Sequence, residues 1–208
     1  MPYSDPLQPA GGWAAPETLR LPAPPVAERG LLFRTMSLVS RWFGRAELPH
    51  IFPVMNINRR LFRGWLFFAS RLMPFGRLPA GVREKLILRV AWNCRSRYEW
   101  GQHVEIALSV GVRDEEIVAL ARDEDAGLDE HDRLLMRACD QQCHSKLICA
   151  EDWQALTMRY TPAELIEIVM LVGHYEMVAG LLINAGIELE GSIETQLQVF
   201  YQRATRAT

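Results

Sequence analysis

The stretch EKLILRVAWNCRSRYEWGQHVEIALSVG, residues 84–111, decides the fold of this chain. Glu99 and His103 lie four residues apart, so on a helix they share one face, one turn apart. Ser96 precedes His103 by two turns and returns to the same face. A single unbroken helix would hold Glu84 about 22 Å from Glu99, because each residue adds about 1.5 Å. Whether these four side chains meet therefore depends on a reversal of the chain near residues 93–95.

The sequence gives a local reason for such a reversal. Ser96-Arg97-Tyr98-Glu99 matches a capping box, in which the serine caps the helix and the glutamate reaches back to the serine amide. We therefore expect a new helix over Arg97–Val110, which ends at Gly111, the residue type favoured just past a helix end.

The rest of the chain is also helical in pattern, and no stretch alternates with a period of two over the length of a strand. A second capping box, Thr161 to Glu164 with Pro162 between them, opens a long apolar helix that stops at Gly186. The sequence predicts an all-α protein with helices at 29–43, 57–72, 79–93, 97–110, 114–122, 130–147, 151–160, 162–185 and 194–203.

The amino-acid composition limits the classes to which this protein can belong. The 208 residues are 49% hydrophobic and 23% charged, which is typical of a globular protein with a sizeable core. A net charge of -2 gives no electrostatic reason to expect nucleic-acid binding. The apolar segment Leu165–Ile187 contains Glu167, His174 and Glu176, which favours a buried helix over a membrane span. No secretory signal is visible and the four cysteines form no CxxC pair, so we expect reduced thiols and a cytoplasmic protein.

Three regions follow from these patterns. Residues 1–27 hold seven prolines and form an arm, which either lies on a neighbouring surface or is a flexible tail. Residues 28–190 form the main domain, and the weakly patterned residues 191–208 form a C-terminal extension.

Three segments together resemble one known superfamily: RVAWNCRSRYEWGQHVEIALSVGVRDEEIVAL, the approach LPAGVREKLILRVAWN, and ELIEIVMLVGHYEMVAGLLINAGIELE. They are similar to the carboxymuconolactone decarboxylase and alkylhydroperoxidase D superfamily over roughly residues 49–190. The resemblance implies the alkylhydroperoxidase D-like helical fold. It also implies a homo-oligomer (a dimer, trimer or hexamer) with sites near subunit contacts.

The superfamily has two versions of its motif. In the peroxidase version, cysteines stand seven and four residues before the histidine, and an upstream glutamate completes a proton relay. Here those positions are Ser96 and Glu99, the histidine is His103 and the upstream glutamate is Glu84. A glutamate four before the histidine marks the decarboxylase version, so the resemblance favours acid–base chemistry. A serine and a carboxylate cannot replace the attacking and resolving thiols of a peroxidase.

The resemblance assigns catalytic roles to His103 as acid or base, Glu99 as its partner and Glu84 as a second relay member. From the residues alone, Glu99 and His103 are equally a stabilising pair on a helix, and Glu84 a salt-bridge residue. Ser96 is better explained as a helix cap than as a nucleophile.

A substrate pocket is expected next to this motif. Its candidate lining residues, which could equally be core or interface residues, are Tyr98, Trp100, Cys94, His174 and Tyr175. Cys139, Cys143 and His144 lack a convincing fourth ligand, so we expect no metal site. No dinucleotide or phosphate-binding loop is present, so we expect no cofactor.

The leading hypothesis is a cofactor-free enzyme that uses glutamate and histidine acid–base chemistry on a small carboxylated or lactone-like organic substrate. One alternative is a peroxidase-type antioxidant enzyme with Cys94 in place of the lost dithiol. The other is a non-catalytic helical oligomer that acts as a binding protein. The small substrate and copies of the same chain are the expected partners, with no nucleic acid and no membrane.

Overall fold

The computed structural model describes residues 5–29, 33, 48–122 and 127–205, and these residues contain helices and connecting segments without a strand. The all-α prediction is confirmed. The α-helices of the described residues are α1 (Ile51–Met55), α2 (Arg59–Leu72), α3 (Ala80–Asn93), α4 (Arg97–Ser109), α5 (Asp114–Ala121), α6 (Glu130–Ser145), α7 (Ala150–Thr157), α8 (Pro162–Ala185) and α9 (Gly191–Ala204).

Helix α3 is the centre of the fold, because it packs against α4, α6 and α8 at once. Its apolar side chains are almost all inaccessible to solvent, as Leu86, Ile87 and Leu88 show at 0% exposure. A helix buried on every side cannot show a one-sided apolar stripe, which explains why both charged and apolar residues of α3 face other helices.

The chain reverses between α3 and α4 as the sequence predicts. Helix α3 ends at Asn93, and Arg95 takes a left-handed backbone conformation with φ of 59°. The amide of Ser96 donates to the carbonyl of Ala91 at 2.8 Å, which closes the turn. The two helices therefore lie side by side as a hairpin, and residues far apart on a continuous helix come into reach.

The N-terminal arm packs on this turn. The carboxylate of Asp5 accepts two hydrogen bonds from Arg97, at 2.6 and 3.0 Å. The Arg95 guanidinium donates to the carbonyl oxygens of Gly12 and Gly11 at 2.5 and 2.6 Å. Trp13 meets Trp92 edge to face, with ring centroids 5.6 Å apart. Of the two options for the arm, its described residues take the packed one.

Helix α8 carries the predicted capping box. Thr161 accepts from the amide of Glu164, and the Glu164 carboxylate accepts from the Thr161 amide at 2.8 Å. Gly186, with φ of 74°, ends the helix. By length and composition α8 could cross a membrane. Its buried face, which includes Leu171 and Ala179 at 0% exposure, instead packs in the hydrophobic core.

One predicted element differs from the structure, and one lies outside it. Pro53, which the sequence places in a connection, is buried within the short helix α1. The predicted C-terminal helix forms as α9, whose Phe200 and Tyr201 are buried in the same cluster as Trp100. The predicted helix over 29–43 lies outside the described residues, apart from its first residue and Phe33.

Candidate active site

A buried pair of side chains lies between the two helices of the hairpin. The Nδ1 atom of His103 on α4 is 2.6 Å from Oε2 of Glu84 on α3. Glu84 is 0% exposed and His103 is 7% exposed. The other oxygen of Glu84 lies 3.9 Å from Nε of Arg83. The predicted meeting of Glu84 and His103 therefore occurs, and it depends on the reversal at Arg95.

Glu99 takes a different place from the one that the sequence predicts. It is 2% exposed, and neither of its oxygens has a hydrogen-bond partner among the described residues. It therefore neither caps Ser96 nor bonds His103, so the predicted capping box is wrong at this helix. The reason is local: the Ser96 amide already donates to Ala91, which leaves no donor for the Glu99 carboxylate.

The isolation of Glu99 controls its protonation. Burial away from water raises the pKa of the Glu99 carboxyl well above its usual range, and the neighbouring Cys143 thiol adds to the rise. Its uncharged form is therefore favoured. The environment of Glu99 suits a proton donor, rather than the ionised orienting group that a helix cap would require.

Glu99 and His103 open into a cavity of about 260 Å³. The wall is mostly apolar and is built by α1, α2, α4 and α8. Besides Glu99 and His103 its lining residues are Pro49, Ile51, Phe52, Trp65, Leu66, Ala69, Ser70, Met73, Tyr98, Gln102, Ile106, His174, Tyr175, Val178 and Leu182.

Helix α8 contributes the wall opposite the hairpin. The ring of Tyr175 stands edge-on to His103 with centroids 5.0 Å apart, and its hydroxyl donates to the sulfur of Met73. The ring of His174 stacks on Trp65 at 5.9 Å. Burial lowers the pKa of His174 to about 4, so this imidazole is neutral at physiological pH. Its Nδ1 has no hydrogen-bond partner in the part of the chain that the structure describes.

Two residues expected to line the pocket, and one candidate catalytic residue, lie elsewhere. Trp100 is 0% exposed and packs between Trp13 and Trp92 in the core. Cys94 packs against the same core, because it lies in the turn behind the cavity. Ser96 faces the arm side of α4, where it lines a separate small cavity with arm residues such as Ala14. Ser96, a candidate catalytic residue that the sequence explains better as a helix cap, therefore does not line the cavity of His103, and its side chain makes no cap bond.

Sequence reasoning missed Glu190, whose carboxylate bonds two residues of the cavity wall. The buried carboxylate of Glu190 accepts a hydrogen bond from the Tyr98 hydroxyl at 2.8 Å and another from the Gln102 amide. It approaches α4 because Gly101 has no side chain, since a Cβ there would lie 2.5 Å from Leu189. The glycine between Glu99 and His103 was the one available signal of this close approach.

The thiols form a cluster behind the cavity. Burial, with the nearby Glu99 carboxyl, raises the pKa of the Cys94 thiol to about 12. A hydrogen bond with Cys139 lowers the pKa of Cys143. Cys94 therefore holds almost no reactive thiolate at neutral pH.

One group of described residues has the composition of a metal site, at the start of α6 and away from the cavity. Ligand atoms of Asp129, His131 and Asp132 lie within 4.8 Å of one another. Each has a structural partner: Asp129 caps α6, Asp132 accepts from Lys85 at 2.6 Å, and His131 contacts the Tyr160 hydroxyl at 2.6 Å. These contacts account for the group without an ion.

Comparisons with known proteins agree with this architecture. Residues 59–135 match the sequence model of the carboxymuconolactone decarboxylase family. An uncharacterized peroxidase-related protein from Silicibacter sp. TM1040 has a TM-score of 0.77 at 14% identity, over 88% of this chain and 97% of that one. An alkylhydroperoxidase AhpD core protein from Ralstonia eutropha JMP134, also called peroxidase-related, has 0.74 at 16% identity, over 86% and 96%.

A third similar structure has a known ligand. The debrominase Bmp8, in complex with 2,3,4-tribromopyrrole, has a TM-score of 0.72 at 14% identity, over 89% of this chain and 99% of that one. At such identities the likeness shows the shared fold alone. No functionally curated protein matches the chain significantly.

Proposed function

Because the chain belongs to the carboxymuconolactone decarboxylase and alkylhydroperoxidase D-like superfamily, we propose that it is an acid–base enzyme of the decarboxylase-like branch. Its substrate would be a small carboxylated or lactone-like organic molecule, and its side chains would supply the chemistry without a cofactor. The observation that carries the proposal is the buried bond between His103 and Glu84, with Glu99 at the wall of the same cavity.

His103 has the setting of a general base. A carboxylate can only accept hydrogen bonds, so the contact with Glu84 places a hydrogen on Nδ1 and leaves a lone pair on Nε2. When Nε2 takes a proton, the imidazolium stays next to the Glu84 carboxylate, which stabilises its charge. Glu84 is therefore the partner of His103, in place of Glu99.

Glu99 complements this base. Its buried, uncharged carboxyl can donate a proton to a substrate oxygen or carbon as His103 removes one elsewhere. After the reaction Glu99 regains a proton and His103 loses one, so the side chains return to their starting forms. This pairing of a base with a separate acid fits proton transfer next to a lactone carbonyl or protonation of the carbon that loses carbon dioxide.

The two alternatives are less well supported. A peroxidase that relies on Cys94 would need a thiolate, whereas the pKa of that thiol is raised to about 12. A non-catalytic binding protein would use the cavity, but it would not need the buried His103–Glu84 pair beside Glu99. The homo-oligomer itself remains a prediction, and the exposed apolar residues Leu61, Phe67 and Phe68 of α2 are where we propose that subunits meet.

The test is proton exchange and turnover on a panel of small lactones and carboxylated lactones. We expect the wild type to exchange the proton next to the carbonyl with solvent deuterium, as measured by NMR. His103→Gln should lose on the order of a hundredfold or more of this rate, which is typical of a positioned base. His131→Gln is the matched control, because His131 lies outside the cavity on α6. Equal rates for His103→Gln and wild type would remove the assignment.

A further inference from the structure

The charge of the cavity wall limits what can bind there. The described residues that line it include no lysine and no arginine. Arg83, which approaches Glu84 at 3.9 Å, is not part of the wall. A substrate carboxylate would therefore enter a largely apolar space without an opposite charge, at a high desolvation cost.

The polar atoms of the wall favour an uncharged ligand over a carboxylate. Both oxygens of Glu99 and Nδ1 of His174 are buried without a partner among the described residues. An unpaired buried polar group is costly, so a ligand that bonds with these atoms gains their unused hydrogen-bonding capacity. Uncharged Glu99 offers an O–H donor, which matches a carbonyl-type oxygen.

The shape of the wall adds a second constraint. The rings of Trp65 and His174 are stacked with an interplanar angle of 20°, and the Tyr175 ring meets both histidines edge-on. A volume of about 260 Å³ lies just below the range of about 300–1,000 Å³ that holds drug-sized ligands. Flat aromatic walls and a small volume favour a compact planar ligand.

From these contacts we infer that the cavity selects an uncharged, planar, ring-shaped organic molecule with a hydrogen-bond acceptor that faces Glu99, and that it rejects the matching carboxylate. This inference rests on the proposed function and narrows its substrate from the carboxylated to the neutral, lactone-like class.

The experiment compares the binding of benzamide and benzoate, two planar probes of the same shape that differ in charge, by isothermal titration calorimetry at pH 7.5. Benzamide should bind at least about tenfold more tightly, a difference of about 1.4 kcal/mol. Benzoate that binds as tightly as benzamide, or neither probe binding to protein that circular dichroism shows to be folded, would overturn the inference.

Two variants sharpen the comparison. Ser70→Lys adds a cation to the wall and should raise benzoate affinity at least about tenfold while benzamide changes little. Glu99→Gln keeps a donor and should retain benzamide binding, whereas Glu99→Leu removes the donor and should weaken it about five- to tenfold. No gain for benzoate in Ser70→Lys, or equal benzamide affinity in the two Glu99 variants, would contradict the inference.

Failure of this inference and failure of the proposed function have different signatures. His103→Gln should lose proton exchange and keep the preference for benzamide. If wild-type exchange is absent but benzamide is preferred, only the reaction is wrong. If exchange is present and depends on His103 but benzoate is preferred, only the substrate class is wrong.

Discussion

The protonation of Glu99 can be tested without a substrate, through the pH dependence of stability. In the folded chain the pKa of this carboxyl lies well above its ordinary value of 4.5, because burial disfavours the charge. In the unfolded chain the carboxyl is in water and ionises near its ordinary pH. Between those two pKa values the folded state holds one more proton than the unfolded state.

The sign and size of the effect follow from that proton. The contribution of Glu99 to stability is fully present below about pH 4 and is lost as pH rises toward the folded pKa, by up to about 1.4 kcal/mol per pH unit. Glu99→Gln cannot ionise and does not suffer this loss. The free energy of unfolding of the variant, relative to wild type, should therefore rise by up to about 2.7 kcal/mol between pH 5 and pH 7.

Urea unfolding followed by circular dichroism at half-unit pH steps measures this difference. Glu115→Gln is the control, because Glu115 is a helical glutamate exposed on the surface, and its difference from wild type should stay flat. A constant difference between Glu99→Gln and wild type from pH 5 to pH 7 would show that Glu99 is ionised in the folded protein. The reasoning about a neutral acid in the cavity would then be refuted.

Three further predictions concern the cavity and its supports. After hydrogen peroxide treatment, mass spectrometry should find Cys94 unmodified while the exposed Cys149 is oxidised. The reason is that a pKa of about 12 lowers the thiolate fraction of Cys94 on the order of a thousandfold relative to a free thiol. Preferential oxidation of Cys94 would contradict this prediction. The pKa of His174 is lowered to about 4, so its contribution to stability is present above about pH 6.5 and is lost as pH falls toward 4. His174→Phe should therefore reduce the loss of unfolding free energy over this pH range, measured by urea unfolding, by up to about 3 kcal/mol. A pH profile equal to that of wild type would contradict the lowered pKa. Asp5→Asn should lower the free energy of unfolding by about 1–3 kcal/mol, because Asp5 is a buried partner of Arg97. Wild-type stability in this variant would show that the arm does not stabilise the turn between α3 and α4.

The helices were largely predictable because their signals are local. Thr161 and Glu164 are three residues apart and satisfy each other's backbone, so the start of α8 can be read from the sequence. Ser96 and Glu99 show the same spacing, yet the box does not form. The difference lies in the preceding turn, because the Ser96 amide that Glu99 would accept from is already bonded to Ala91.

The sequence pointed to Glu84, Glu99 and His103 but not to their pairing, and Ser96, Cys94 and Trp100 lie away from the cavity. Spacing on one helix points Glu99 toward His103, but the imidazole takes Glu84 from the neighbouring helix as its partner. Periodicity cannot show which of two carboxylates lies nearer across a helix hairpin. Glu190 was missed for the same reason, since its contacts with Tyr98 and Gln102 join residues about ninety positions apart in the chain.

The two carboxylates of the site differ in environment, and this difference is what makes acid–base chemistry possible there. Glu84 lies 2.6 Å from the imidazole of His103 and 3.9 Å from Nε of Arg83. Glu99 is buried without such a neighbour, and its uncharged form is favoured. Without Glu84 His103 would lose its hydrogen-bond partner on α3, and without Glu99 the cavity would lose its acid. Exchanging Glu84 for Gln should therefore impair the base while leaving the pH-dependent stability due to Glu99 intact, and Glu99→Gln should do the reverse. Loss of both properties in either variant would contradict this division of roles.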